Sequence, residues 1–337
     1  MMAIKEALRK YWIHLVLLLA INIPIIVICS IRTNYSLILK GDTSPFDSVV
    51  EIDTDNKEEG SFSTIFVISM DNSTVFQNIL ADHLNHIEKN EMNEFTSHMS
   101  YQESYEAGKI QYHSSIAKAL ILAYNEAKKK DPSINIDYKL NSLKVTYYNE
   151  GGPFRVGDEI IKIGALSASD PGFLEGYRRE LVIGNECVFI RDGKSYTHTF
   201  KEGDSFAAEL DYEINYETIN PSVKFHDNAV GGPSGGLLQA LSIYNRLTKE
   251  DITHGLKIAG TGTIDIDGKV GPIGGIKEKI PTAFKDDVSI FLCAKDNYAD
   301  ALLAYNLIPN HERMRLVKID TFYDALDYLL EGYKNDF

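Results

Sequence analysis

The chain has 337 residues, enough for about two domains that each bury a core. Hydrophobic residues make up 44% and charged residues 24%, a globular balance that excludes fibrous and fully disordered classes. A formal net charge of -14 argues against nucleic acid as a partner, and the 3 cysteines, Cys29, Cys187 and Cys293, form neither a disulfide framework nor a zinc signature.

No formal charge interrupts the stretch from Tyr11 to Ile31, between Lys10 and Arg32. Its length is close to the ~20 residues a helix needs to cross a bilayer. Residues 1–10 therefore read as a cytoplasmic tail and 11–31 as a transmembrane helix, with Pro24 kinking rather than ending it. Lys5, Arg9 and Lys10 precede the span, and Arg32 and Lys40, then acidic Asp42, Asp47, Glu51, Asp53 and Asp55, follow it. The basic flank stays inside, which puts the bulk of the chain outside the cytoplasm at the cell membrane. A cleaved secretory signal is the alternative, but no Ala-x-Ala site is present, and Ile28 before Cys29 does not suit a lipoprotein signal.

Residues 45–130 carry the short apolar run Val49–Ile52, a β-rich segment Phe62–Ile68 and an apolar helical stripe within His113–Lys128. His83, His86, His98 and Glu88 lie between them without metal-ligand spacing, so they read as solvated surface and no metal is expected. From 136 to 203 the period becomes that of strands. Leu143, Val145 and Tyr147 alternate, and Gly157-Asp158 turns into an apolar strand. Ser169-Asp170-Pro171 reads as a helix start, and a hairpin forms about Asp192-Gly193. Gly193-Lys194-Ser195 lacks the earlier glycine of a P-loop, since Val188 stands there, so no nucleotide is expected. This strand–turn–strand–helix–hairpin order resembles a bacterial PDZ domain, which implies capture of extended peptide on a sheet edge. The alternative is a small β-rich insertion with no ligand. Cys187, in mid-strand, reads as core.

The chemistry concentrates in Gly231-Gly232-Pro233-Ser234-Gly235-Gly236, preceded by Val230 and followed by the apolar stripe Leu237, Leu238, Leu241, Tyr244 and Leu247. A serine at a glycine-lined turn opening a helix is an exposed hydroxyl beside free backbone N–H groups, which suits acyl transfer. By itself this heptapeptide fits an N-cap serine in a flexible loop better. The second block, residues 258–280, runs as a strand through Gly260-Thr261-Gly262, a turn at Asp267-Gly268, a second strand, and Gly274-Gly275-Ile276-Lys277-Glu278-Lys279 opening a helix. Together the two blocks resemble the proteolytic domain of Lon proteases, from about Pro221 to the C-terminus, including Ser289–Leu292 and the turn Lys295-Asp296-Asn297. With the anchor and the PDZ-like segment, the chain resembles the membrane-anchored PDZ–Lon proteases of Gram-positive bacteria.

The resemblance implies an α+β fold: an N-terminal transmembrane helix, a Lon-type proteolytic domain over 204–337, and a PDZ-like β-rich insertion over 136–203. Residues 45–130 are expected to pack with the protease domain. Ser234 matches the family's nucleophile, and Lys279, closing Gly-Gly-x-x-x-Lys, matches its catalytic lysine. Lys277 lies two positions earlier, ~200° around a helix, so only one of the two lysines can face the serine. Thr261 matches a threonine placed near the amine. Backbone groups around Gly232, Pro233 and Gly235 are expected to hold the oxyanion. Gly231 and Thr263 stand where many Lon enzymes carry acids. The Lon ATPase module is absent from the sequence, so the expected activity is an ATP-independent serine endopeptidase acting on protein or peptide substrates outside the cytoplasm, without cofactors. Isolated Lon-type domains tend to form rings, which implies a possible homo-oligomer. A catalytically inactive PDZ scaffold and a non-proteolytic acyl hydrolase are the alternatives. A lysine base needs its pKa lowered by roughly three units from ~10.4, and Ile273, Ile276 and Ile280 offer an apolar wall.

Overall fold

The structure, a computed structural model, describes the chain except Met1, Asp47, Ser48, Lys57, Asn85, His86, residues 227–230 and residues 332–337. His86, Asp47 and Val230 of the sequence reading thus lie outside the described residues, as does the side chain of Lys5. The architecture is mixed α/β with one long apolar helix at the N-terminus, Met2–Ser30, which contains Pro24. Its segment Arg9–Ser30 is long and apolar enough to cross a membrane.

The central sheet has 6 strands, and its order departs from chain order. Strands Arg315–Ile319, Ile290–Ala294, Lys257–Thr261 and Ser61–Met70 lie side by side in parallel. Tyr35–Pro45 and then Ile87–Glu91 extend the sheet antiparallel. Helices cover both faces, and the strand pattern shows why. In Ile290–Ala294 every residue is buried: Ile290, Leu292 and Ala294 face one core, and Phe291 and Cys293 face the other. Side chains alternate across a strand, so a run apolar at every position must be covered on both sides. The first core packs helices Tyr101–Lys128 and Gly236–Leu247. The second packs Ile276–Lys285 and Tyr298–Asn306.

The helix expected over His113–Lys128 starts earlier and runs over 28 residues, Tyr101–Lys128. Its first half is polar and hides the apolar period, but Ser100 and Glu103 form a reciprocal capping box that starts it. The run Val50–Ile52 pairs with Val223–Phe225, just before the serine loop.

A second sheet, antiparallel throughout, runs in the order Phe206–Ile214, Tyr138–Tyr148, Glu159–Ile163, Glu186–Arg191, Lys194–Thr199. Its own core holds Val145, Phe154, Ile160, Phe173, Cys187 and Phe189. The expected hairpin turn is present, with Asp192 and Gly193 both at positive φ. Asp158 of the Gly-Asp turn is buried, and its carboxylate accepts from Arg191 Nε at 2.6 Å. One expectation shifts here. The helix starts at Phe173 after Gly172, because Asp170 instead accepts the Ser167 N–H at 2.8 Å. Phe206–Ile214, beyond the expected 203/204 boundary, pairs along the whole of Tyr138–Tyr148.

Candidate active site

Ser234 occupies the turn that opens helix Gly236–Leu247, and is half-buried. Gly232 takes φ +86 in this turn, a conformation only glycine adopts without strain. The neighbouring strand end grips the turn: Gly262 N–H and Thr261 Oγ1 both donate to the Ser234 carbonyl, at 2.9 and 3.0 Å. Leu237 N–H returns a bond to the Gly262 carbonyl at 3.1 Å. The Thr-Gly dipeptide therefore fixes where the serine stands.

Lys279 reaches the same point from the other side. Its helix begins after Gly275, at φ +71, and Lys279 N–H donates to the Gly275 carbonyl. A Cβ at Gly275 would also press to 3.1 Å on Ile38 and Val67. Ahead of this turn the side chain of Asn297 clamps Ile273, accepting its N–H at 2.8 Å and donating to its carbonyl at 2.9 Å. Lys279 lies on the buried face with Ile276, Ile280 and Ala283 and is only 1% exposed. Its Nζ stands 2.8 Å from Ser234 Oγ and 3.1 Å from Thr261 Oγ1. Thr261 has already given its one proton to the Ser234 carbonyl, so it can only accept from the amine. Burial pushes the Lys279 pKa down to about 7, and no neighbouring carboxylate opposes it. A neutral amine held this way can take the hydroxyl proton. Lys277 is exposed and lies 3.8 Å from Asp300.

The expected oxyanion donors are corrected in part. Gly232 N–H is spent on the Gly108 carbonyl at 2.8 Å, and Pro233 has no N–H to give. Gly235 is the N-cap of this helix, and among the described residues the backbone N–H groups of Ser234 and Gly235 make no backbone hydrogen bond.

Sequence reasoning missed the supports from helix Tyr101–Lys128. The Ser115 hydroxyl lies 3.2 Å from the Pro233 carbonyl and 3.3 Å from Gln239 Oε1. In the sequence Ser115 stands in the run Ser114–Ala119, which resembles a helix of the Lon domain, with nothing to connect it to the Ser234 turn. Glu278, beside Lys279, is buried with Oε2 unpartnered, and its pKa is raised by burial first and then by Glu88. A cleft of about 400 Å³ opens beside Ser234, walled by Thr64–Ile68, Tyr112, Gly231 and Gln239. A larger cleft of about 800 Å³ lies between the long helix and the second sheet and shares Tyr112. Cys187 and Cys293 are buried, with thiols pushed up to about 12, which fits core residues and not nucleophiles. His83 and His98 turn their rings to the carbonyls of Ile79 and Glu94.

Residues 205–332 match the Lon protease (S16) C-terminal proteolytic domain. The chain is 35% identical to the Lon protease of Campylobacter jejuni over 126 residues, 36% of this chain and 15% of that protein. It is 38% identical to the Lon protease of Desulforamulus reducens over 128 residues, 37% of this chain and 15% of that protein. With the Lon protease of Clostridioides difficile it shares 31% over 126 residues, 36% of this chain and 15% of that one. It thus spans about 15% of the length of these relatives. Residues 205–332 are thus similar to the proteolytic domain of Lon proteases, which supports a serine peptidase.

Proposed function

We propose that the chain is a membrane-anchored serine endopeptidase that works without nucleotide, with Ser234 as nucleophile and Lys279 as its general base and acid. The observation that carries this reading is the 2.8 Å approach of a buried amine to a half-exposed hydroxyl. As Ser234 Oγ bonds to the peptide carbonyl carbon, Lys279 Nζ takes its proton. The negative oxygen faces the Ser234 and Gly235 N–H groups at the helix start. Nζ then gives the proton to the leaving amine as the C–N bond breaks, and water releases the acyl group by the same route.

An extended peptide suits the cleft. Lys257–Thr261 pairs with Ser61–Met70 only as far as Thr64. Beyond Thr64, among the described residues, that strand pairs only with Tyr35–Pro45 and leaves its other edge along the cleft. The second sheet is read as PDZ-like, a module that collects peptide for the site, and helix Arg9–Ser30 as the anchor, with the basic flank inside and the enzyme outside the cytoplasm.

Full-length protein in detergent or liposomes, incubated with an unfolded protein and no added nucleotide, tests this. Wild type is expected to cut, and Ser234→Ala and Lys279→Ala to be inactive. Equal cleavage by all three removes the dyad. Binding without cleavage by wild type leaves the inactive scaffold.

A further inference from the structure

Helix Val75–His83 is amphipathic in the wrong sense for a protein surrounded by water. Its buried face carries Asn78 and Ala81. Its outer face carries Phe76, Ile79 and Leu80, 39%, 46% and 41% exposed, and Leu84, 53% exposed, at its C-cap. The spacing i, i+3, i+4, i+8 puts these four on one stripe. Helix Tyr298–Asn306 also exposes Leu302, Leu303 and, at its C-cap, Leu307, but it packs on Ile290–Ala294 and Arg315–Ile319, at the other end of the central sheet from Tyr35–Pro45.

The position of this stripe indicates what covers it. Val75 N–H donates to the carbonyl of Ile31, the last apolar residue of the span, at 3.0 Å. Thr33 N–H donates to the Ser73 carbonyl at 2.9 Å, and Arg32 reaches the Asn72 carbonyl at 3.2 Å. The inward Asn78 completes the joint: its Nδ2 donates to Thr33 Oγ1 at 2.7 Å and its Oδ1 accepts from Ser73 at 2.8 Å. The helix is therefore locked to the chain where it leaves Arg9–Ser30. The same strand that walls the cleft leads directly into it, from Ile68 through Met70 to Thr74.

We propose that helix Val75–His83 lies in the lipid interface, with Phe76, Ile79, Leu80 and Leu84 at the headgroup–acyl boundary. This rests on the reading of Arg9–Ser30 as a membrane anchor. The helix is a second foot on the bilayer that sets the tilt of the peptidase. It holds the cleft along Thr64–Ile68 close to the lipid, which favours substrates tethered to or lying on the same membrane.

The test uses the full chain in phosphatidylglycerol–phosphatidylcholine vesicles, with Cys29→Ser so that only introduced thiols are accessible, since Cys187 and Cys293 are buried. A polarity-sensitive fluorophore is placed at Ile79→Cys or Leu80→Cys, and at Leu307→Cys as an equally apolar, exposed control. Lipids carrying a nitroxide near the headgroup are expected to quench the labels at 79 and 80 at least about two-fold more than the label at 307. Vesicle flotation separates the failures. Protein that floats with its labels quenched alike overturns the interfacial helix and leaves the anchor standing. Protein that does not float overturns both. Blue-shifted emission without lipid quenching shows a protein neighbour and overturns the lipid assignment.

Discussion

Lys279 sits in the fold at a cost, because its amine is buried. Its amine titrates near ~10.4 when unfolded and at about 7 when folded, so the unfolded chain binds the extra proton across that interval. Stability from this group therefore rises with pH from about 7 to ~10. Lys279→Met is expected to abolish cleavage yet raise unfolding stability by about 2 kcal/mol at pH 7, the lost hydrogen bonds offsetting part of the titration penalty. The gain should shrink as pH approaches 10, and denaturant melts over a pH series check it. Wild-type kcat/KM should climb with pH up to about 7 and then level, since only the neutral amine accepts a proton. Glu278 behaves in the opposite sense. Its raised pKa means the folded state keeps a proton that the unfolded chain gives up, so stability falls as pH climbs through that raised value. Glu278→Gln is expected to melt like wild type at pH 4 and to be more stable by about 1 kcal/mol at pH 8.

The Ser234 turn owes its shape to elements that sequence spacing does not connect. Ser234, Thr261 and Lys279 were legible because each sits in a short glycine-marked block whose turn chemistry is local. The loss of Gly232 as an oxyanion donor was not legible, because its N–H is claimed by Gly108, on a helix 124 residues earlier. The pairing of Phe206–Ile214 was not legible for a related reason: it is set by register with Tyr138–Tyr148, which no local pattern records. Two glycines at the helix–helix contact should respond differently to alanine. A Cβ at Gly108 meets only ordinary contacts at 3.8 Å, so Gly108→Ala should stabilise by about 0.5–1 kcal/mol with cleavage retained. A Cβ at Gly236 meets Ile264 Cγ2 and Ser115 Oγ at 2.8 Å, so Gly236→Ala should cost about 1–3 kcal/mol and displace the serine turn. Thermal melts and peptide cleavage of the pair measure both.

Across the whole molecule, the second sheet is joined to the peptidase core as well as threaded through it. Lys118, on the long helix, lies 3.2 Å from Glu209 of that sheet and 3.2 Å from Asp265, which follows the Thr-Gly strand. The lysine is largely buried, so Lys118→Met should cost about 1–3 kcal/mol and loosen the sheet, read as faster hydrogen exchange over residues 206–214 than over 290–294. The order of the central sheet also governs timing. Ser61–Met70 lies against Lys257–Thr261, about 200 residues later in the chain. At ~5–20 residues per second of synthesis, the early strand waits roughly 10–40 s for its neighbour. Until then the nascent chain lacks helix Ile276–Lys285, so Ser234 and Lys279 cannot yet meet.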